Sequence, residues 1–173
     1  MAKPLATLTI GLCIVLAPGC GRKGPLELPP GRAPMPVEAL TAVPGDGSVR
    51  LQWTNPVKAI SGKAVEPLEA VEVWVFDKEL PAGGRPLTSG DVEKSARLVH
   101  RISRQEFAAY AGTAGEASGV MTFAYPVALR PPAPSKLAFT VRVFDRKGRA
   151  SEFAAPAAVD LARKDPPVAG GVS

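Results

Sequence analysis

The feature that most narrows what this chain can become is alternation with a period of two. Ser48–Thr54 (SVRLQWT) sets Val49, Leu51 and Trp53 against Arg50 and Gln52. Glu69–Phe76 (EAVEVWVF) and Lys136–Asp145 (KLAFTVRVFD) repeat the pattern. In an extended strand successive side chains point to opposite faces, so each stretch predicts a strand with one buried side. Pro44-Gly45-Asp46-Gly47 and Asp145-Arg146-Lys147-Gly148 are turn signals beside them, with glycine free to take positive φ. Ser151–Leu161 reads as a last strand; Pro156 has no N–H to give a ladder, which puts that strand at an edge or gives it a bulge. Weaker strand patterns lie at 37–43, 97–102 and 120–127. Ser103-Arg104-Gln105-Glu106 has the form of a capping box and predicts one short helix at 104–110, with Phe107 and Tyr110 on one side. Residues 77–96 carry Pro, glycine breaks and charges, and read as a long surface loop. About seven strands with many turns make this an all-β protein, a two-layered β-sandwich. The 19 prolines and 17 glycines suit that better than a helical bundle.

Within this frame, Pro36 and Leu40 precede Gly47-Ser48-Val49-Arg50-Leu51-Gln52-Trp53, and Asn55-Pro56 follows. Phe139-Thr140-Val141-Arg142-Val143 is followed by Gly148 and Ser151. These stretches resemble the immunoglobulin-like fibronectin type III domain, the first its L-x-W…x-P strand and the second its Y-x-V-x-V…G…S strand. The resemblance covers roughly 36–161 and implies a fibronectin type III-like sandwich with Trp53 in its core. Phe139 stands where that family usually has Tyr, so the hydroxyl tie across the sheet corner is expected to be missing.

The N-terminus reads as an address. After Lys3, residues 5–17 (LATLTIGLCIVLA) are almost wholly apolar. They are too few for a bilayer that needs about 20, but fit the apolar core of a signal peptide. The run ends in Ala17-Pro18-Gly19-Cys20, which resembles the bacterial lipobox, although Ala17 stands where that motif prefers Leu. The resemblance implies a signal peptide over 1–19 and a Cys20 carrying diacylglyceryl and further acyl chains such as palmitate; an ordinary secreted protein with an incidental Cys is the alternative. Two or more acyl chains anchor stably where one does not. Gly21 rather than Asp after the Cys implies the outer membrane, periplasmic face. Residues 20–36 (CGRKGPLELPPGRAPMP) hold five prolines and read as an extended tether. Cys20-Gly21-Arg22-Lys23-Gly24-Pro25-Leu26 with Pro29 and Pro30 also resembles the start of small LptM-type outer-membrane lipoproteins, which bind the lipopolysaccharide translocon and assist its assembly. The sandwich domain then spans 37–161, and 162–173 is a flexible tail.

Chemistry is harder to find. One His and two Cys leave no multi-ligand metal site and no disulfide framework. With leader cleavage, Cys13 is lost and Cys20 is the single remaining cysteine. A charge of +5 without a clustered basic stripe argues against nucleic acid. His100 reads as a strand residue in or beside the core, Asp145 and Asp160 as solvated turn carboxylates. Gly83-Gly84 lacks the Lys/Ser/Thr that opens a phosphate-binding helix. Neither catalysis nor a cofactor is expected.

One binding surface emerges from the alternation. With Val71, Val73 and Val75 inward, Glu72, Trp74 and Phe76 point outward; with Phe139, Val141 and Val143 inward, Thr140, Arg142 and Phe144 do so. On neighbouring strands, Trp74, Phe76, Arg142 and Phe144 would make an exposed aromatic patch with one cation, a composition enriched at interfaces. Alternatively the 77–96 loop or the 104–110 helix folds over it. The expectation is a lipid-anchored, non-catalytic cell-envelope protein whose domain serves adhesion or protein–protein binding; an accessory role in outer-membrane assembly through CGRKGPL is the alternative.

Overall fold

The structure, a computed structural model, describes residues 31–76, 80, 87–113, 115, 119–127 and 135–161. Cys20, the leader, residues 20–30 of the tether and the tail 162–173 lie outside them. The described strands are β1 (Glu38–Gly45), β2 (Ser48–Thr54), β3 (Leu68–Phe76), β4 (Ala96–Ser103), β5 (Val120–Pro126), β6 (Lys136–Asp145) and β7 (Ala157–Asp160). They form two antiparallel sheets, β1-β2-β5 and β4-β3-β6-β7. The chain is therefore all-β, in two layers.

The alternation explains why the layers meet. Val49, Leu51 and Trp53 from one sheet and Val71, Val73, Phe139, Val141 and Val143 from the other are fully buried in one cluster. Each such side chain contributes about 1.5–3 kcal/mol on leaving water. Trp53 would bury an indole N–H at a cost; instead it donates to Asn55 Oδ1 at 3.1 Å, two residues on. His100 sits at the margin of this core, half-buried, stacked on Phe123 at 5.7 Å between ring centroids and 3.3 Å from the Tyr110 hydroxyl.

Three local expectations are revised. The 77–96 stretch is not all loop: Ser89–Ser95 form a helix, α1. Its cap is Thr88, whose backbone N–H and hydroxyl both donate to Asp91 Oδ2, while Asp91 N–H donates back to Thr88 Oγ1 at 3.2 Å. The predicted 104–110 helix begins as a 3-10 turn, Arg104–Glu106, and becomes helix α2 only at Phe107–Tyr110. Ser103 N–H and hydroxyl donate to Glu106 Oε2, and these bonds, the hydroxyl's first, hold the Glu106 carboxyl below its usual range. Finally, Ser151–Pro156 is not strand. It follows the β6 edge irregularly, with Ser151 and Ala154 N–H donating to the Val143 and Val141 carbonyls, and regular pairing resumes only at Ala157, after the proline.

Asp145 is not a solvated turn carboxylate but is 1% exposed. Its carboxylate accepts from the backbone N–H groups of Lys147 and Arg149 and from the Arg149 guanidinium at 2.6 Å. Burial pushes this carboxyl up, but those hydrogen bonds outweigh it and hold the group below its ordinary value. Asp160, by contrast, is exposed as expected. The last residues of the expected tether pack on the domain: Met35 and Ile60 N–H donate to the Lys58 and Ala33 carbonyls, and Ser61 N–H to that of Gly31.

Candidate functional site

The outer face of the four-stranded sheet carries the densest polar and aromatic chemistry described. Register builds it. Glu72 on β3 lies directly opposite Arg101 on β4 and Arg142 on β6, so three charges form one row across three strands. Opposite charges facing each other across strands stabilise a sheet. Glu72 is 5% exposed, and a polar side chain so buried is costly unless it is hydrogen-bonded. Its Oε1 accepts from Arg101 Nη1 at 2.5 Å. Its Oε2 accepts from Arg142 Nε at 2.7 Å and from the Trp74 indole N–H at 3.1 Å. Arg142 Nη1 reaches on to Glu93 of α1 at 2.8 Å.

Aromatic rings interleave with these cations. The Phe144 ring lies under the Arg101 guanidinium at 4.5 Å and under that of Arg142 at 5.1 Å. Arg142 also lies over Trp74 at 5.3 Å and Phe153 at 4.7 Å. Trp74 and Phe153 meet edge to face, 5.6 Å apart. Each contact is favourable because a ring's negative face attracts a cation. The result is a rigid array in which side chains hold one another's rotamers. Arg142 is largely sequestered, its side chain 16% exposed, whereas that of Arg101 is 50% exposed and presents N–H donors to the outside.

Of the residues expected here, Trp74, Arg142 and Phe144 come together, all half-buried. Phe76 does not join them. It is 3% exposed in a separate small cluster with Val92 of α1 and Ala138, packed further by Leu87 and Phe153. The reason is α1, which lies in the segment that the alternation pattern leaves as loop. Thr140, also expected outward, is buried and donates to the Ala154 carbonyl at 2.7 Å. Arg101, Glu93 and Phe153 are not singled out by the sequence, and Glu72 is placed by it on this face but given no role. Glu72 and Arg101 become partners only once two strand registers are known; Thr88-Ser89-Gly90-Asp91, a Thr-x-x-Asp cap, was the readable signal for α1.

Elsewhere, a cleft of about 250 Å³ opens at one end of the sandwich, lined by Leu68, Arg104, Phe107, Val120 and Met121. Among the described residues no group of three His, Cys, Asp or Glu could hold a metal ion, and no helix is long and apolar enough to cross a membrane.

No family model and no curated protein sequence matches the chain. Two solved structures of the pectate lyase Pel3 from Pectobacterium carotovorum are similar to it, at 11% and 10% identity with TM-scores of 0.42 and 0.41. They cover 76% and 77% of this chain, which spans only 28% of theirs.

Proposed function

We propose that this is a lipid-anchored, non-catalytic protein of the cell envelope whose fibronectin type III-like domain binds a protein partner through the outer face of the four-stranded sheet. The domain assignment draws support from the strand order. In the constant-type immunoglobulin sandwich the fourth strand joins strands 1, 2 and 5; here it pairs with β3, leaving three strands in one sheet and four in the other. A tryptophan on β2 fills the core between them.

The observation that carries the binding reading is the Arg101–Glu72–Arg142 row with Trp74, Phe144 and Phe153 laid against it. Arg and Trp dominate the energetics of protein interfaces, and side chains held in place before binding lose less entropy on docking. Affinity capture from detergent-solubilised envelopes tests it. Arg101→Ala and Trp74→Ala should each lose a partner that Val43→Ala, on the other sheet, retains; equal recovery by all three would end this reading. Anchoring is tested separately. Cys20→Ser should leave the membrane fraction, and mass spectrometry should find an acylated Cys20 at the mature N-terminus.

A second reading is favoured by one sequence feature, the CGRKGPL segment, which would make the protein an accessory factor of outer-membrane assembly. Exchanging residues 20–30 for an unrelated lipoprotein leader would then abolish function, while leaving a sheet-mediated role intact.

A further inference from the structure

The corner of the domain where the chain enters combines features that the sheet face does not explain. Segment 31–36 runs against the 55–67 loop, with Pro34 bridged to Ala59, and both border the 145–149 turn, so that Arg32, Lys63, Glu66 and Arg149 line one open cleft. These three segments hold six cations, Arg32, Lys58, Lys63, Arg146, Lys147 and Arg149, against two carboxylates, Glu66 and Asp145. Asp145 is buried and occupied by Arg149, and Glu66 is shared by Lys147 at 3.0 Å and Arg146 at 3.6 Å. Glu38 begins β1 and Glu69 is the second residue of β3, and the corner stays net positive with both included. Among the described residues, three of the five exposed large hydrophobics lie on the same segments: Val57 (74% exposed), Ile60 (50%) and Met35 (38%).

Exposed aliphatic side chains ringed by Lys and Arg, with few free carboxylates, are the composition of surfaces that lie at a lipid headgroup boundary. Position agrees. Gly31 is at this corner, and the chain from Cys20 to Gly31 can span at most about 40 Å. An acylated Cys20 would keep this end of the domain nearest the bilayer. We propose that the corner built from Met35, Val57, Ile60 and the six cations seats the domain on an anionic phospholipid surface, the aliphatic side chains at headgroup level and the cations against lipid phosphates. This rests on the lipid-anchored reading, and adds that the domain lies down on its membrane instead of standing off it. With that corner seated, Arg101 and the row on the outer face of the β4-β3-β6-β7 sheet remain available to a partner.

The test uses the full chain, purified from membranes and reconstituted, in a Cys13→Ala background. A fluorophore on Val57→Cys reports the corner, and one on Val43→Cys the opposite end of the sandwich. In vesicles of phosphatidylcholine with about a third phosphatidylglycerol, a lipid-borne nitroxide should quench the Val57 label severalfold more than the Val43 label. Pure phosphatidylcholine should remove most of the difference. Each basic side chain near an anionic surface is worth about fivefold in binding, so Lys58→Ala with Lys63→Ala should lower the seated-to-unseated ratio about 30-fold. Equal quenching of the two labels in protein that floats with the vesicles would overturn the seating and leave the anchor standing. Protein that fails to float would overturn the anchor, and the seating with it.

Discussion

Arg142→Ala should cost far more stability than Arg101→Ala, although both guanidiniums bind the same carboxylate. Arg142 donates to Glu72 at 2.7 Å from a side chain that is 16% exposed, and its loss also removes stacking on Trp74, Phe144 and Phe153. Breaking a buried ion pair by deleting one partner costs about 3–5 kcal/mol, because the other charge stays buried. Glu72 keeps Arg101 and the Trp74 N–H, so the lower end, about 3 kcal/mol, is expected. Arg101 is half-exposed, and its removal leaves Glu72 the other two donors; about 0.5–1 kcal/mol is expected there. Equilibrium denaturation at neutral pH, followed by tryptophan fluorescence and checked by circular dichroism, measures both. Glu72→Gln supplies the cycles: coupling to Arg142 should reach about 1–3 kcal/mol, and coupling to Arg101 should stay below about 1. High salt should erode only the Arg101 term. Equal losses for the two arginines, or an Arg142 variant within about 1 kcal/mol of the parent, would refute the account of Glu72 as a buried charge that depends on its neighbours.

Other parts of the fold carry their own expected outcomes. Trp53→Ala empties the centre of the core and should cost about 3–5 kcal/mol, a large share of a domain's stability, read as a lower denaturation midpoint. Asp145 titrates below its ordinary value when folded, so the unfolded chain takes up the proton first as pH falls. Its stabilising contribution is complete above about pH 4 and is lost through the lower folded pKa; Asp145→Asn should lower the midpoint at pH 7 and flatten its acid decline. Thr88→Ala removes the α1 cap and should cost about 1 kcal/mol. It should also speed hydrogen exchange in 89–95 while the β2 amides stay protected; uniform acceleration would show that α1 is no separate unit.

The strands were legible because alternation is a local property, and a sandwich reads it in one way only. Ser48–Thr54 and Lys136–Asp145 appear with the bounds that the pattern implies. The seam was less legible where two signals compete. In Ser151–Pro156 strand-like composition met a residue without an N–H, and the backbone followed the edge of β6 without forming a ladder. In 77–96 the breaks Gly83-Gly84 and Pro81 obscured the seven-residue helix Ser89–Ser95, whose cap is two polar side chains three residues apart.

The candidate site divides along the same line. That Trp74, Arg142 and Phe144 share a face follows from counting by twos along single strands, and any reader of the chain can do it. That Glu72 is buried and bound between two arginines is a fact about register, set by how far β4 and β6 slide past β3 before their inner faces pack. One residue of slip would turn each inner row outward, so the core chooses the register and the register assembles the charge row. Phe76 is covered for a similar reason: a helix many residues downstream in the chain, carrying Val92, comes back over it. Periodicity along the backbone determined which side chains face together; only packing between distant segments decided which of them touch and which are shut away from water.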